Sequence, residues 1–311
     1  MPDIVITEFI DPAALERLKA EFDVHYDQAL WNKPEEIGRL MKGVPSLIVR
    51  NQTQVRGVAL AGADKIKCVG RLGVGLDNID MAECARRDIA VFPATGANSD
   101  SVAELAIGGL YVMFRGAYHV TDEVIAGQWP RMRMMGREVA GKTLAIVGYG
   151  AIGKALGWRA KGIGMRVVVW DPYIPADSGI WAEHGVEREA SLVAAVRQAD
   201  AVSVHVPLND ETTDMFDAKL IAEMKPDAVL LNLARGGIVN EPDLVAALRA
   251  KTIGGAFLDT FVTEPLGADN IFADAPNLIL TPHAGARTVE ADDRVCSMIA
   301  DLVADCLKES D

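Results

Sequence analysis

Short apolar runs recur along the chain, divided by polar or glycine-bearing turns and by stretches of helical period. Ile4–Ile6, a segment around Asp23–Tyr26, Ser46–Val49, Ile66–Val69 and Ile89–Phe92 read as strands. Between the first of them, Pro12 opens a helical stretch over Ala13–Glu21, and a second runs over Pro34–Met41. Strands that alternate with helices form a parallel sheet covered on both faces, so about the first 95 residues are predicted to make a small α/β domain. Helical period follows over Ser99–Phe114, with Ser99 or Asp100 able to cap and Glu104 in the first turns. Because this helix is apolar on most sides, it is expected to be buried between domains or between subunits. Thr121–Arg137, with Trp129, Pro130, Arg131, Arg133 and Arg137, reads as an arm. Further strands are predicted at Thr143–Val147, Met165–Trp170, Ala201–Val204, Val229–Leu231, Gly255–Leu258 and Leu278–Leu280, and a last helix at Val289–Lys308.

The turn after Thr143–Val147 reads Gly148-Tyr149-Gly150-Ala151-Ile152-Gly153, a G-x-G-x-x-G pattern between a strand and a helix expected over Lys154–Ile163. The next strand ends at Asp171, 18 residues past the third glycine, close to the ~20 of a dinucleotide-binding βαβ unit. The first glycine permits the tight turn, the second lets backbone approach a pyrophosphate, and the third lets helix and strand pack closely. The pyrophosphate then meets free N–H groups at the helix N-terminus. Asp171 would accept hydrogen bonds from ribose hydroxyls and repel a 2′-phosphate, which points to NAD. Six strands from Thr143 onward are the number in a complete doubly wound dinucleotide domain.

At 311 residues and 50% hydrophobic content the chain has room for two such domains. A net charge of −13 argues against nucleic acid or an anionic membrane as partner. An anionic small substrate is compatible if arginines gather at the site. Cys68, Cys84, Cys296 and Cys306 show no C-x-x-C or metal-ligand spacing, so reduced thiols and no metal are expected. The N-terminus lacks the layout of a signal peptide. The longest apolar run, Leu105–Phe114, is half the ~20 residues that a membrane span needs. A cytoplasmic protein is expected.

Three polar residues interrupt the apolar pattern just beyond late strands: Arg235 in NLARGG, Glu264 in DTFVTEP and His283 in TPHAG. All three fall on the sheet edge that would hold a dinucleotide. Hydride transfer to a 2-keto acid needs a cation for the carboxylate and carbonyl, which arginine supplies as a rigid fork. It also needs a proton donor for the developing alkoxide, which histidine supplies near neutral pH. Glu264 on the far side of the imidazole would fix its tautomer and support the imidazolium. In the first domain, Arg50 and Asn51 follow one strand and Gly73, Val74 and Gly75 another. The glycines would expose backbone N–H groups in a concavity suited to a carboxylate.

Over essentially its whole length the chain resembles the D-2-hydroxyacid dehydrogenase family. The stretches that carry the resemblance are GRLGVGLDNID (70–80), NSDSVAELA (98–106), VGYGAIG with Asp171, HVPL (205–208), NLARGG (232–237), LDTFVTEPL (258–266) and TPHAGA (281–286), in that order. The resemblance implies a Rossmann cofactor domain over residues 99–286 and a smaller flavodoxin-like substrate-binding domain over 1–98 plus 287–311, with hinges near Asn98 and Ala286. It assigns the reaction to Arg235, Glu264 and His283. It puts the cofactor, NAD, on Gly148, Gly150, Ala151, Ile152, Gly153, Asp171, His205, Pro207, Thr213, Ala234, Asp259 and Gly285, with Asp259 as partner of the nicotinamide amide. The substrate, a small anionic 2-hydroxy or 2-keto acid, would meet Arg50, Asn51, Gly73, Val74, Gly75, Arg235 and His283. A homodimer joined through residues 99–140 is expected. Thr95-Gly96-Ala97-Asn98 departs from the usual glycine placement, which affects the hinge rather than the chemistry. The chain stops soon after its last predicted helix, so the regulatory domain of some phosphoglycerate dehydrogenases, and feedback inhibition through it, are not expected.

Other readings are weaker. L-lactate and malate dehydrogenases begin with the fingerprint, whereas 142 residues precede its strand here. Formate dehydrogenases pair their histidine with glutamine where this chain has Glu264. An NAD(H)-sensing protein of the same fold would bind cofactor without turnover. Within the family, the loops RNQTQV and GRLGVGLDNID look similar to sulfolactate dehydrogenases, with phosphoglycerate, glycerate and simple 2-hydroxy acids as alternatives.

Overall fold

A computed structural model describes residues 1–309 and shows two compact units, Met1–Asn98 together with the chain from Arg287 onward, and Ser99–Ala286. The first is built on a five-stranded parallel sheet of β1 (Ile4–Ile6), β2 (Val24–Tyr26), β3 (Ser46–Val49), β4 (Cys68–Arg71) and β5 (Ala90–Pro93). Its order β2-β1-β3-β4-β5 is that of flavodoxin-like sheets, with a topological switch point between β1 and β3. One face packs on helices Pro12–Glu21 and Val289–Lys308, the other on Pro34–Leu40, Gly57–Ala61 and Met81–Arg86. β4 lies two residues later than the apolar run Ile66–Val69 predicts. Gly70 is a poor strand former in isolation, but Ile299 and Val303 fill the space where its Cβ would stand, at 2.6 and 2.8 Å, and this packing overrides propensity.

The second unit holds a seven-stranded parallel sheet of β6 (Thr143–Val147), β7 (Arg166–Trp170), β8 (Glu187–Arg188), β9 (Ala201–Val204), β10 (Val229–Asn232), β11 (Gly255–Leu258) and β12 (Leu278–Leu280). From the far edge the order is β8-β7-β6-β9-β10-β11-β12. This is the doubly wound dinucleotide order with one strand added, and it reverses between β6 and β9. The central strands are buried along their whole length, as their unbroken apolar runs require. β8 escapes a reading by pattern because two half-exposed polar residues carry no periodicity.

Helix Ser99–Arg115 owes its apolar character to its own unit. Val102, Ala103, Ala106, Leu110 and Phe114 join a core with Leu156 and Ala160 of helix Ala151–Gly162 and with Phe257 of β11. The Cβ of an alanine at Gly109 would fall 2.3 Å from the Phe257 ring. In the arm, Arg133 pairs with Glu123, while Arg137 pairs with Asp227 and lies 4.5 Å over the Phe114 ring.

Candidate active site

In a parallel sheet every strand's carboxyl end lies on one edge, so the turns after β6, β7, β9, β10, β11 and β12 share it. At the switch point, Gly148 has φ +90°, and a Cβ there would stand 2.6 Å from the His205 carbonyl. The third glycine, Gly153, is held by packing, since its Cβ would come 2.4 Å from the Gly148 carbonyl. Gly150 between them faces open space and caps helix Ala151–Gly162 without any side-chain bond. The helix starts three residues before the expected Lys154, so Ala151 and Ile152 form its first turn. Free N–H groups at an open helix start suit a pyrophosphate.

Asp171, just beyond β7, accepts the Tyr149 N–H at 2.8 Å on one oxygen and the Tyr173 N–H at 2.9 Å on the other. A carboxylate has about four acceptor sites, so capacity for two ribose hydroxyls is left. Beyond β9, His205 Nε2 lies 2.8 Å from Ser203 Oγ, while its Nδ1 is sealed from solvent and meets no partner among the described residues. The following turn is tied by Thr212 Oγ1 to the Pro207 carbonyl at 2.6 Å and by Thr213 Oγ1 to Asn209 at 2.8 Å.

Burial holds the His205 imidazole down at about 4, against an ordinary 6.5. The folded value is the lower one, so the unfolded chain takes up the proton first. Stability is then fully present above about pH 6.5 and lost as pH falls toward 4, by up to ~3 kcal/mol. In His205→Gln this stretch of acid sensitivity should flatten, which denaturation midpoints at neutral pH and at about pH 4.5 will read. An equally steep loss in the variant would place the acid sensitivity elsewhere.

The turns after β10, β11 and β12 interlock. Asn232 accepts the Ala234 N–H at 3.1 Å and donates to the Arg235 carbonyl at 2.8 Å, which fixes the turn that carries Arg235. Gly236 sits so close to Phe261 that a Cβ would fall 1.9 Å from its carbonyl carbon. Glu264 accepts the Phe261 N–H at 3.0 Å with Oε1 and lies 2.7 Å from His283 Nδ1 with Oε2. His283 adopts the left-handed region, φ +52°. Its Nε2 has no partner among the described residues, and the side chain is 46% exposed.

Asp259, buried at the end of β11, accepts Thr281 Oγ1 at 2.5 Å, Ala284 N–H at 2.8 Å and Gly285 N–H at 2.8 Å. It thus grips the turn that carries His283 from both sides. The sequence offers Asp259 as a nicotinamide contact; this anchoring role is visible only in three dimensions. Two further residues escape the sequence reading. Glu241, which burial pushes above the usual carboxylate range, accepts the Val262 N–H at 2.7 Å. Glu8, buried just after β1, accepts the N–H groups of Arg50, Gln52 and Thr53 at 2.9, 3.2 and 2.9 Å. Its one sequence signal is a charge two residues past an apolar strand.

The substrate residues expected in the first unit lie at the carboxyl ends of β3 and β4. The Val74 and Gly75 N–H groups have no acceptor among the described residues. Arg71 donates to the Leu72 carbonyl and its guanidinium covers Gly73, whose φ is +147°. Arg50 is paired with Asp292, which with burial and Cys296 sets its environment. Among the described residues, no group of three or more histidine, cysteine or acidic side chains is placed to hold a metal, and no helix is long and apolar enough to cross a membrane.

A family model for the NAD-binding domain of D-isomer specific 2-hydroxyacid dehydrogenases matches residues 107–285. The chain belongs to this family. It is 45% identical over 303 residues to the (S)-sulfolactate dehydrogenase of Chromohalobacter salexigens, covering 97% of each chain. It is 37% identical over 310 residues to D-3-phosphoglycerate dehydrogenase 2 of Arabidopsis thaliana, covering 99% of this chain but 49% of that one. The chain thus spans about half the length of that relative. Among solved structures, the TT0316 protein of Thermus thermophilus superposes with a TM-score of 0.88 at 28% identity, covering 98% of this chain and 97% of the other. The NADPH-dependent glyoxylate/hydroxypyruvate reductase of Sinorhizobium meliloti, solved with NADP and malonate, gives 0.82 at 27%, covering 99% and 92%. The second unit is accordingly the NAD-binding domain of a dehydrogenase family that acts on CH–OH groups.

Proposed function

We propose that this chain transfers hydride between NAD and C2 of a small 2-hydroxy/2-keto acid, with 3-sulfolactate favoured and 3-phosphoglycerate or glycerate next. The observation that carries the reading is the His283–Glu264 pair, 2.7 Å apart, in the turns after the two strands that follow that of Arg235, along the sheet edge of the dinucleotide turn. The favoured substrate rests on the 45% identity to the Chromohalobacter enzyme.

The nicotinamide, when bound, supplies or accepts the hydride. Arg235 grips the 2-keto carboxylate and polarises the carbonyl. Imidazolium His283, held through Nδ1 by Glu264, gives its Nε2 proton to the oxygen at C2 during reduction and removes it during oxidation. Glu264 and Asp259 are positioning residues in this scheme. The Val74 and Gly75 N–H groups add donors for the carboxylate. Pro207, Thr213, Ala234 and Gly285 line the cofactor's path by resemblance. An NAD(H) sensor without turnover remains the alternative, and enzyme assay separates the two.

With a carboxylate at the ribose position, kcat/KM should favour NADH over NADPH by roughly 10-fold or more, the order of one charge-assisted bond. A wild-type preference for NADPH contradicts the role given to Asp171. The reading also includes a cytoplasmic homodimer joined through residues 99–140. Its support is the set of exposed apolar side chains Tyr118, Ile125, Trp129, Met132 and Met135, with Trp158 on the adjoining helix. Sedimentation at micromolar concentration should give the dimer mass; a monomer there contradicts this part.

A further inference from the structure

Asn240-Glu241-Pro242 has the layout of a helix start, with a capping amide, an acid in the first turn and a proline beside it. Asn240 caps helix Glu241–Arg249 by accepting the Asp243 N–H at 3.0 Å. An acid in such a place ordinarily serves the positive end of its own helix, which holds its carboxyl down. Glu241 is instead pushed above the usual carboxylate range, by burial first and also by the charge of Glu264, although the N–H it accepts from Val262 pulls the other way. Its side chain reaches away from its helix to the turn after β11. There two carboxylates hold consecutive backbone N–H groups: Glu264 Oε1 accepts that of Phe261 at 3.0 Å, and Glu241 Oε1 that of Val262 at 2.7 Å. Gly236 lies against the same peptide, since a Cβ on it would stand 1.9 Å from the Phe261 carbonyl carbon and 2.4 Å from the Val262 nitrogen. The Phe261–Val262 peptide is thus fixed by the turn after β10 and by the helix that follows it. Glu264, whose Oε2 meets His283 Nδ1 at 2.7 Å, stands two residues further on. The other charged groups at this end of these elements are Asp259, spent on Thr281, Ala284 and Gly285, Asp243, which accepts the Ala218 N–H at 2.8 Å, and Arg235, which gives Nη1 to the Ala234 carbonyl at 2.7 Å. All of them belong to the second unit.

We infer that Glu241 is a positioning residue of the hydride-transfer site: it fixes the turn that presents Glu264 to His283, and its negative charge adds to the support of the imidazolium. The inference rests on the hydride-transfer reading above. As an acceptor, Glu241 holds the Val262 N–H, and a neutral amide of the same length would do as much. Two carboxylates on neighbouring N–H groups repel each other, so holding the turn does not by itself call for a second charge. As a charge, Glu241 acts on the imidazolium in the same sense as Glu264. Its action is the weaker one, because Glu264 alone hydrogen-bonds the ring among the described residues.

The test compares wild type, Glu241→Ala and Glu241→Gln with NADH and whichever of sulfopyruvate, 3-phosphohydroxypyruvate and pyruvate wild type reduces fastest. Glu241→Ala should lower kcat roughly 10-fold, the order of one hydrogen bond to a charged group, with NADH affinity unchanged. Glu241→Gln should recover most of that loss at neutral pH, because its amide oxygen still accepts the Val262 N–H. It should nevertheless move the alkaline limb of kcat for reduction to lower pH by roughly 0.3–1 unit, the reach of one partly screened charge. The sign follows because reduction consumes the imidazolium, and a ring that has lost a nearby negative charge gives up its proton at lower pH. In the cofactor-free protein, the His283 imidazole, followed by NMR and assigned with His283→Gln, should titrate lower by the same amount. Combined with Glu264→Gln, the loss from Glu241→Ala should fall well short of multiplying, since the turn then has less to present. An unmoved limb or an unmoved imidazole in Glu241→Gln overturns the inference and leaves the dehydrogenase reading intact. Fully multiplying losses overturn it too, as does a lowered melting temperature in Glu241→Ala with wild-type kcat and pH profile. Glu241→Gln, which keeps the hydrogen bond, decides the matter if Glu241→Ala does not fold. Failure of wild type to turn over any of the three keto acids overturns the reading on which the inference rests.

Discussion

His283→Ala should lower kcat by about 10²- to 10⁴-fold, the usual worth of a positioned general acid or base, and leave NADH affinity nearly unchanged. The imidazole is held on one side by Glu264 at 2.7 Å and leaves Nε2 free for the reacting oxygen. The turn beneath it is fixed by Asp259 through three hydrogen bonds. Removing the ring therefore deletes the proton relay without disturbing the dinucleotide turn, which belongs to β6. Glu264→Gln keeps a hydrogen-bonding group in place but removes the charge that supports the imidazolium. Its loss in kcat should be smaller and accompanied by a displaced pH profile. A purely structural role for Glu264 would leave that profile in place. Single-turnover rates and NADH titration separate the two effects, and unimpaired hydride transfer in His283→Ala rejects the assignment.

Arg235→Ala should cost about 10²- to 10³-fold in kcat/KM for every 2-keto acid, monoanion and dianion alike. Two charge-assisted hydrogen bonds to a shared carboxylate and carbonyl are worth roughly 1.5–3 kcal/mol each, and they do not add fully. The turn that presents Arg235 is tied by Asn232 and packed against Phe261, so the fork is held in place before substrate arrives. Arg235→Lys should recover little, because a single ammonium does not reproduce the fork. Steady-state kinetics across the substrate panel check it, and a loss confined to dianions in Arg235→Ala contradicts the role.

The elements of this fold are legible where the apolar pattern is unbroken. Central strands buried on both faces, such as β6, β9 and β11, can be read to the residue from runs like Thr143–Val147 and Gly255–Leu258. Legibility fades where tertiary contact decides, as at Gly70 in β4, held by Ile299 and Val303 from the far end of the chain, and at the polar edge strand β8. The spacing of the fingerprint predicts the distinct environments of Gly148, Gly150 and Gly153 because each glycine has its own steric reason. Strand-end position likewise brings out Arg235, Glu264 and His283. What no spacing discloses is partnership across long separations. Arg50 is paired with Asp292 242 residues away, which leaves it less free to meet an anion than its place after β3 suggests. Glu8 captures the loop 50–53, and Asp259 anchors the histidine turn, both through backbone N–H groups that a sequence does not display.

The central claim is that the residues gathered on this sheet edge carry out hydride transfer and do more than hold a dinucleotide. The most direct measurement is NADH consumption by the purified protein with a panel of 2-keto acids, with product recovered and quantified. Steady loss of NADH, matched mole for mole by the corresponding 2-hydroxy acid and abolished to background in His283→Ala, is the predicted result. Tight NADH binding with no turnover of any 2-keto acid would contradict the account and favour the sensor.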